Sequence, residues 1–324
     1  MTRREFVIGT AAVAAIVSRA RAQSSVSADP AKLDRIAIMT LNFENMMHVP
    51  GQWEGPNDTI DVLDLPQMIA DRYGVHNIEI QHTHFASTEE SYLRDFRARA
   101  EKVKSRFSNI NLEFGPMNMS AASPVLRAQA IDLTKQWIDH AVTLGAPRVM
   151  INQGPVTQEN KEAGIAALKA MVEYGKSKNV LIGVETRGNV SGNNRGVVQA
   201  PPPANAPATP PAAPPAPPAP GAPLPVLTAV PNWVLLAEVL SDSGALANVD
   251  IGGVGAADQG ELHAALRTLL PITVGNMHIR PTARWDLGTA IRFTTTLGYK
   301  GLYSIEVRGF DGTKAALDTV VANL

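Results

Sequence analysis

Cysteine is absent from all 324 residues. That excludes a disulfide framework, a thiolate nucleophile and any cysteine-ligated metal, so a metal centre here has to be built from histidine and carboxylates. No apolar run reaches the roughly 20 residues a membrane-spanning helix needs. Neither sign of charge dominates: 29 basic and 30 acidic residues leave a formal net charge of −1. Such a balance gives no electrostatic footprint for nucleic acid or an anionic membrane, and neither is expected as a partner. The glycine-rich phosphate loops of dinucleotide-binding and P-loop folds are missing wherever a strand pattern passes into a helix pattern. What remains is 45% hydrophobic and 18% charged, the composition of a globular chain with a sizeable core.

The first 22 residues stand apart from that core. Arg3-Arg4 precedes an apolar, alanine-rich run from Phe6 to Val17, and Ala20-Arg21-Ala22 offers small residues where a signal peptidase cuts. This order reads as a twin-arginine leader, with export to the periplasm or beyond as the expectation. Its removal leaves 25 basic against 29 acidic residues, a charge of −4. Residues 23–34 read as a flexible lead-in.

From Arg35 onward strands and helices alternate. Strand patterns fall at Arg35–Thr40, His76–Gln81, Asn111–Gly115, Arg148–Asn152, Asn179–Glu185, Leu246–Asp250, Thr273–His278 and Gly301–Glu306. Between them lie helical patterns at 64–74, 87–107, 124–144, 158–178, 233–240, 259–270 and 287–297, with a last one at 313–321. Asp64 is placed as an N-cap, and Gly74 and Gly145 as helix stops. Residues 42–61 read as a long loop carrying His48 and Trp53. Eight strand–helix pairs with short links predict a single-domain (β/α)8 TIM barrel over 35–324, with an open doubly wound sheet as the competing arrangement. Residues 200–225 hold 13 of the 24 prolines. They form no helix or sheet pattern and read as an extended low-complexity insertion after the fifth strand.

Four consecutive strand patterns end in a potential metal ligand: Glu185, Asp250, His278 and Glu306. In a barrel, neighbouring strand ends lie about 5 Å apart, so inward side chains there meet around one ion although they are distant in sequence. One imidazole and three carboxylates make a hard, oxygen-rich set that favours Mn²⁺, Mg²⁺ or Co²⁺ over Zn²⁺. Glu185 and Glu306 are also the candidate catalytic pair, because proton transfer beside a carbonyl needs a base on each relevant face. Weaker candidates for substrate contact are His82 and His84 after the second strand, Asn152 ending the fourth, Arg280 two residues past His278, and Trp53.

The segments Ile182-Gly183-Val184-Glu185, Val249-Asp250-Ile251-Gly252, Asn276-Met277-His278-Ile279 and Tyr303-Ser304-Ile305-Glu306 resemble the xylose-isomerase-like TIM-barrel superfamily of sugar (phosphate) isomerases and epimerases, nearest to its ketose 3-epimerases. The resemblance spans the chain from about Arg35 to its end. It implies one divalent metal held by the four residues, with the two glutamates moving protons. It also implies that Glu79 is the inward acid such proteins often carry on strand two, which adds Glu79 to the weaker candidates for substrate contact. Two positions depart from the pattern: Gly253 stands where relatives often have histidine, and Arg280-Pro281 replaces a lysine–aspartate pair.

The expected activity is therefore a metal-dependent isomerase or epimerase of sugars or keto-sugars, acting on a small carbohydrate as a monomer or a homo-oligomer. A lyase or hydratase acting on oxidised (keto) sugars or glycosides uses the same first proton abstraction. A non-catalytic periplasmic sugar-binding protein is the reading from another class, against which both glutamates count. An endonuclease IV-type nuclease needs more histidines than this chain supplies.

Overall fold

The computed structural model describes residues 29–49, 53–54, 59–152, 154–187 and 232–324. The leader, the proline-rich tract, Gln153 and the side chain of Trp53 lie outside that description. Eight parallel strands among the described residues are β1 (Ile36–Met39), β2 (Asn77–Gln81), β3 (Arg106–Leu112), β4 (Arg148–Ile151), β5 (Leu181–Glu185), β6 (Leu246–Asp250), β7 (Thr273–Ile279) and β8 (Leu302–Ile305). They close into a barrel in the order β1-β8-β7-β6-β5-β4-β3-β2. Each is followed by a helix: α1 (Leu65–Tyr73), α2 (Glu90–Lys102), α3 (Pro124–Leu144), α4 (Lys161–Ser177), α5 (Asn232–Ser243), α6 (Gln259–Leu269), α7 (Leu287–Thr296) and α8 (Gly309–Asn323). This is the (β/α)8 barrel that the alternating pattern predicts. No helix among the described residues is long and apolar enough to cross a membrane.

The chain divides into two compact units, residues 1–109, 143–146 and 275–324 in one, and 110–142 and 147–274 in the other. In the first, Ile279, Ile305, Ile38 and Ile78 stand in one register row across β7, β8, β1 and β2, all fully buried. Full burial of such a side chain stabilises by about 1.5–3 kcal/mol, so this row is a large part of that unit's core. The alternate row is His278, Ser304, Ala37 and Asn77, polar or small throughout. Because side chains alternate along a strand, one face of this sheet is aliphatic and packs against helices while the other is polar. Tyr303 confirms the direction of the aliphatic face, its hydroxyl lying 2.7 Å from Thr294 Oγ1 on α7.

The second unit repeats the division. Ile110, Val149 and Ile182 share one row, and Leu112, Ile151, Val184 and Ala247 another; Asn111, Met150 and Gly183 lie on the opposite face, as do Glu185 and Asn248. Gly175 near the end of α4 is a requirement of close approach, since a Cβ there would stand 2.5 Å from the Val180 carbonyl oxygen.

Four details depart from the sequence reading. The helical pattern at 87–107 overruns its helix, which ends at Lys102; Lys104 turns the chain with φ 58° and β3 begins at Arg106. Phe107, an apparent helical apolar position, is a strand residue packing edge-on against Phe96 of α2 at 4.7 Å. The loop at 42–61 contains a 3-10 helix over Thr40–Met46 and a small three-stranded sheet built from Met47–Val49, Trp53–Glu54 and Ile60–Asp61. Asp64 occupies the N-cap position of α1 without a side-chain capping bond, and it is Asp61 that accepts from Leu63 N at 2.8 Å. Residues Pro30–Leu33, within the lead-in, form one helical turn capped by Asp29.

Candidate metal centre

The polar face of the first unit carries the central histidine. His278 sits on β7 two residues after Asn276, so both side chains project to the same side. Each imidazole nitrogen faces a carboxylate. Nε2 lies 2.8 Å from Glu79 Oε1 on β2, and Nδ1 lies 3.4 Å from Glu306 Oε2 just past β8.

Glu79 is completely buried, yet every approach to it is from a donor. Asn109 Nδ2 donates to Oε1 at 2.9 Å and Asn276 Nδ2 to Oε2 at 2.9 Å, in addition to the His278 contact. Burial alone would raise the Glu79 pKa; the charge His278 carries when protonated, its hydrogen bond and the neighbouring donors act against burial and lower it from its usual value. The residue expected among the substrate contacts is thus enclosed and fully engaged.

Glu306 is placed from its flanks. Its N–H donates to the Ile279 carbonyl at 3.0 Å. Asn42 Nδ2 donates to the Ile305 carbonyl at 3.0 Å, and Val307 N donates to Asn42 Oδ1 at 2.9 Å. A single side-chain amide therefore takes over the backbone pairing on both sides of Glu306 after β1 has ended. The Glu306 side chain is 12% exposed, with Arg280 Nη1 at 3.8 Å from Oε1. Its Oε2 is buried and has no hydrogen-bond partner among the described residues.

In the second unit, Glu185 ends β5 almost fully buried. Arg187 pairs with it through Nε and with Glu113 through Nη2, forming a carboxylate–guanidinium–carboxylate chain. Asp250 ends β6, also fully buried. Its backbone N–H donates to Thr186 Oγ1 at 3.0 Å, and its Oδ1 accepts from Gly253 N at 2.9 Å. The position where relatives often have histidine thus supplies a backbone donor to the aspartate.

Among the described residues, Glu185, His278 and Glu306 each offer one ligand atom, and these atoms all lie within 4.8 Å of one another. Asp250, the fourth expected ligand, is not a member of that group. The donor set suits a cation. If the His278 Nε2–H donates to Glu79, the bare Nδ1 lone pair faces Glu306 Oε2, and two acceptors face each other across 3.4 Å. A shared cation removes that repulsion and satisfies the buried oxygen. Two carboxylates and an imidazole accommodate Mn²⁺, Mg²⁺ or Co²⁺, and Zn²⁺ less selectively.

The remaining candidates are dispersed. His84 is buried in a short 3-10 turn with Nδ1 at 2.8 Å from Thr40 Oγ1, and Nε2 lies 3.8 Å from Glu44 Oε1. It pins the loop after β1 to the loop after β2. His82 is half-buried in the same turn. Asn152 accepts from Gly154 N at 3.1 Å and lines a small cavity with Phe114, Met117 and Met171. Trp53 is paired along its backbone with Val49. Reading the sequence by strand ends overlooks Asn42, Asn109, Asn276 and Arg187. The signal for the two strand asparagines was polar residues alternating with apolar ones along β3 and β7.

No family model and no curated protein matches the sequence. Solved structures do. A xylose isomerase domain protein from Planctomyces limnophilus aligns over 90% of this chain and 99% of its own, with a TM-score of 0.57 at 13% identity. An L-ribulose 3-epimerase aligns over 90% and 92%, with a TM-score of 0.59 at 14% identity. The probable 3-DHS dehydratase from Bacillus anthracis aligns over 89% and 97%, with a TM-score of 0.56 at 12% identity. The likeness is one of fold.

Proposed function

We propose that the protein is an exported, divalent-cation-dependent isomerase or epimerase of sugars or keto-sugars. The observation that carries this reading is the convergence of Glu185, His278 and Glu306 ligand atoms within 4.8 Å at the ends of strands in a barrel, the position from which this fold delivers catalytic groups. Asp250, next to them in strand order, is assigned as a further ligand. A cation held there would polarise a substrate carbonyl and offset the negative charge that develops on its oxygen.

The chain's own residues then move the proton. Glu306, partly exposed and with an unpartnered oxygen, is suited to take the proton from the carbon beside the carbonyl. The electron pair left behind is delocalised onto the carbonyl oxygen. A proton that Glu185 carries into the cycle, delivered to the opposite face of that carbon, inverts it and leaves Glu185 as a carboxylate and Glu306 as the acid, to be reset by exchange with solvent. Delivery instead to the former carbonyl carbon, with the hydroxyl proton of the first carbon passing to the former carbonyl oxygen, moves the carbonyl. Arg187, paired with Glu185, offsets its charge and limits its movement. Arg280, beside Glu306, is assigned to substrate oxygens, with His82 and Asn152 as outer contacts.

Elimination is the second reading. After the same proton abstraction, loss of a hydroxyl on the next carbon, protonated as it leaves, gives water and an unsaturated carbonyl. It is favoured by one observation, the presence of a dehydratase among the proteins that share this fold. Incubating metal-loaded protein with a panel of ketoses and keto-glycosides in D₂O separates the outcomes. Deuterium at the carbon beside the carbonyl, lost in Glu306→Gln, supports proton transfer, and accompanying loss of water assigns the lyase. Absence of exchange across the panel from protein with its metal bound contradicts both. The export assignment is tested by N-terminal sequencing of the secreted protein: a start after Ala22 supports it, and an intact Met1 in the cytosolic fraction contradicts it.

A further inference from the structure

The pairing of Glu79 with His278 has a consequence for how the metal set is prepared. We propose that Glu79 is a positioning residue that fixes the tautomer and orientation of His278, so that Nε2 carries the proton and Nδ1 presents its lone pair to the cation site. The proposal rests on the metal-centre reading above but makes a separate claim about the protein before any ion binds.

Neutral imidazole carries its proton on either nitrogen, and a ligand nitrogen must be the bare one. In this chain the choice is imposed from the deep side. Glu79 Oε1 stands 2.8 Å from His278 Nε2, and both Glu79 oxygens already serve as acceptors for amide N–H groups, so the proton of this contact is placed on Nε2. The carboxylate is itself held by two amide donors, Asn109 at Oε1 and Asn276 at Oε2, each at 2.9 Å. Three donors converge on one group. A carboxylate accepts all three, whereas a glutamine would turn its own NH₂ toward one of them. The register explains why such a group reaches His278 across two intervening strands: the residues level with His278 on β8 and β1 are Ser304 and Ala37, both small. Glu79 and His278 are fully buried, so no substrate atom need touch Glu79 for it to act. Partners of this kind also raise the basicity of the ligating nitrogen, and their loss typically costs about 10–100-fold in metal affinity.

Two measurements on chelator-treated full-length protein test this. The first is ¹⁵N-resolved NMR of the His278 ring, compared between wild type and Glu79→Gln. The second is calorimetric titration of both with Mn²⁺. The expected result is an Nε2–H tautomer in the wild type, a changed tautomer balance in Glu79→Gln, and Mn²⁺ affinity weaker by about 10–100-fold in the variant. A wild-type His278 protonated at Nδ1 overturns the proposal without any variant, so a poorly folding Glu79→Gln does not leave it untested. An unchanged tautomer and unchanged affinity in the variant overturn it as well. Failure of the wild type to bind Mn²⁺, with the Nε2–H tautomer present and sensitive to Glu79, overturns the metal-centre reading and leaves the positioning role standing.

Discussion

The two sides of His278 are built from the same chemical group and do opposite things. On the deep side, Glu79 is sealed from solvent and each oxygen has at least one donor. On the outer side, Glu306 keeps 12% exposure and one buried oxygen without a hydrogen bond. A carboxylate whose lone pairs are all engaged is fixed and stays ionised. One with an unanswered lone pair is poised to take a cation or a proton. The difference lies in the neighbours, not in the glutamates: asparagines at 109 and 276 on one side, and a backbone clamp by Asn42 that leaves the carboxylate itself open on the other.

That contrast breaks most visibly in activity. Glu306→Gln is expected to reduce substrate deuterium exchange by about 10²–10⁴-fold, the usual contribution of a proton-transferring group, while its melting temperature stays close to wild type. Glu79→Ala is expected to do the reverse in stability. It strands three buried donors and should cost about 3–5 kcal/mol in denaturant unfolding, the range for breaking a buried charged pair. Equal stability losses at the two positions would erase the distinction. Asn42→Ala sharpens the outer side. It removes two buried backbone contacts beside Glu306 and should cost about 1–3 kcal/mol, with a larger fall in exchange rate than a matched loss elsewhere in the core produces.

A smaller effect concerns pH. Burial lowers the His84 pKa from its usual value against the opposing pull of Glu44, so the folded protein keeps this ring neutral where the unfolded chain would protonate it. The unfolded state then binds more protons, and stability rises with pH. The contribution is fully present above the unfolded histidine value near 6.5 and is lost as pH falls through the lowered folded value. His84→Gln should flatten the stability profile below about pH 6.5, measured by denaturant midpoints. A profile unchanged in the variant would remove His84 from the pH dependence.

Much of the architecture was legible because its physics is periodic. β6 matches its pattern at both ends, and Gly74 closes α1 with φ 64° where a left-handed residue was called for. The start of β3 was not legible. Lys104 adopts a left-handed turn without being glycine, and Phe107 continued the helical spacing by coincidence. The strand-end rule located Glu185, His278 and Glu306, since a barrel aligns strand ends whatever the intervening sequence. It could not reveal which acids are enclosed. Glu79 looks like its counterparts in sequence, and only Asn109, which is 30 residues away, and Asn276, which is 197 away, make it a buried partner of histidine. Likewise the strand asparagines alternate with apolar residues in strands that need be aliphatic on only one face.

Whether the open side of His278 holds an ion decides the function of the site. Equilibrium titration of chelator-treated protein with Mn²⁺, followed by electron paramagnetic resonance, measures this directly. One tightly bound ion per chain is expected, with loss of that binding in His278→Ala and Glu306→Ala. A wild-type protein that leaves Mn²⁺ free in solution, or binding that survives both substitutions, would contradict it.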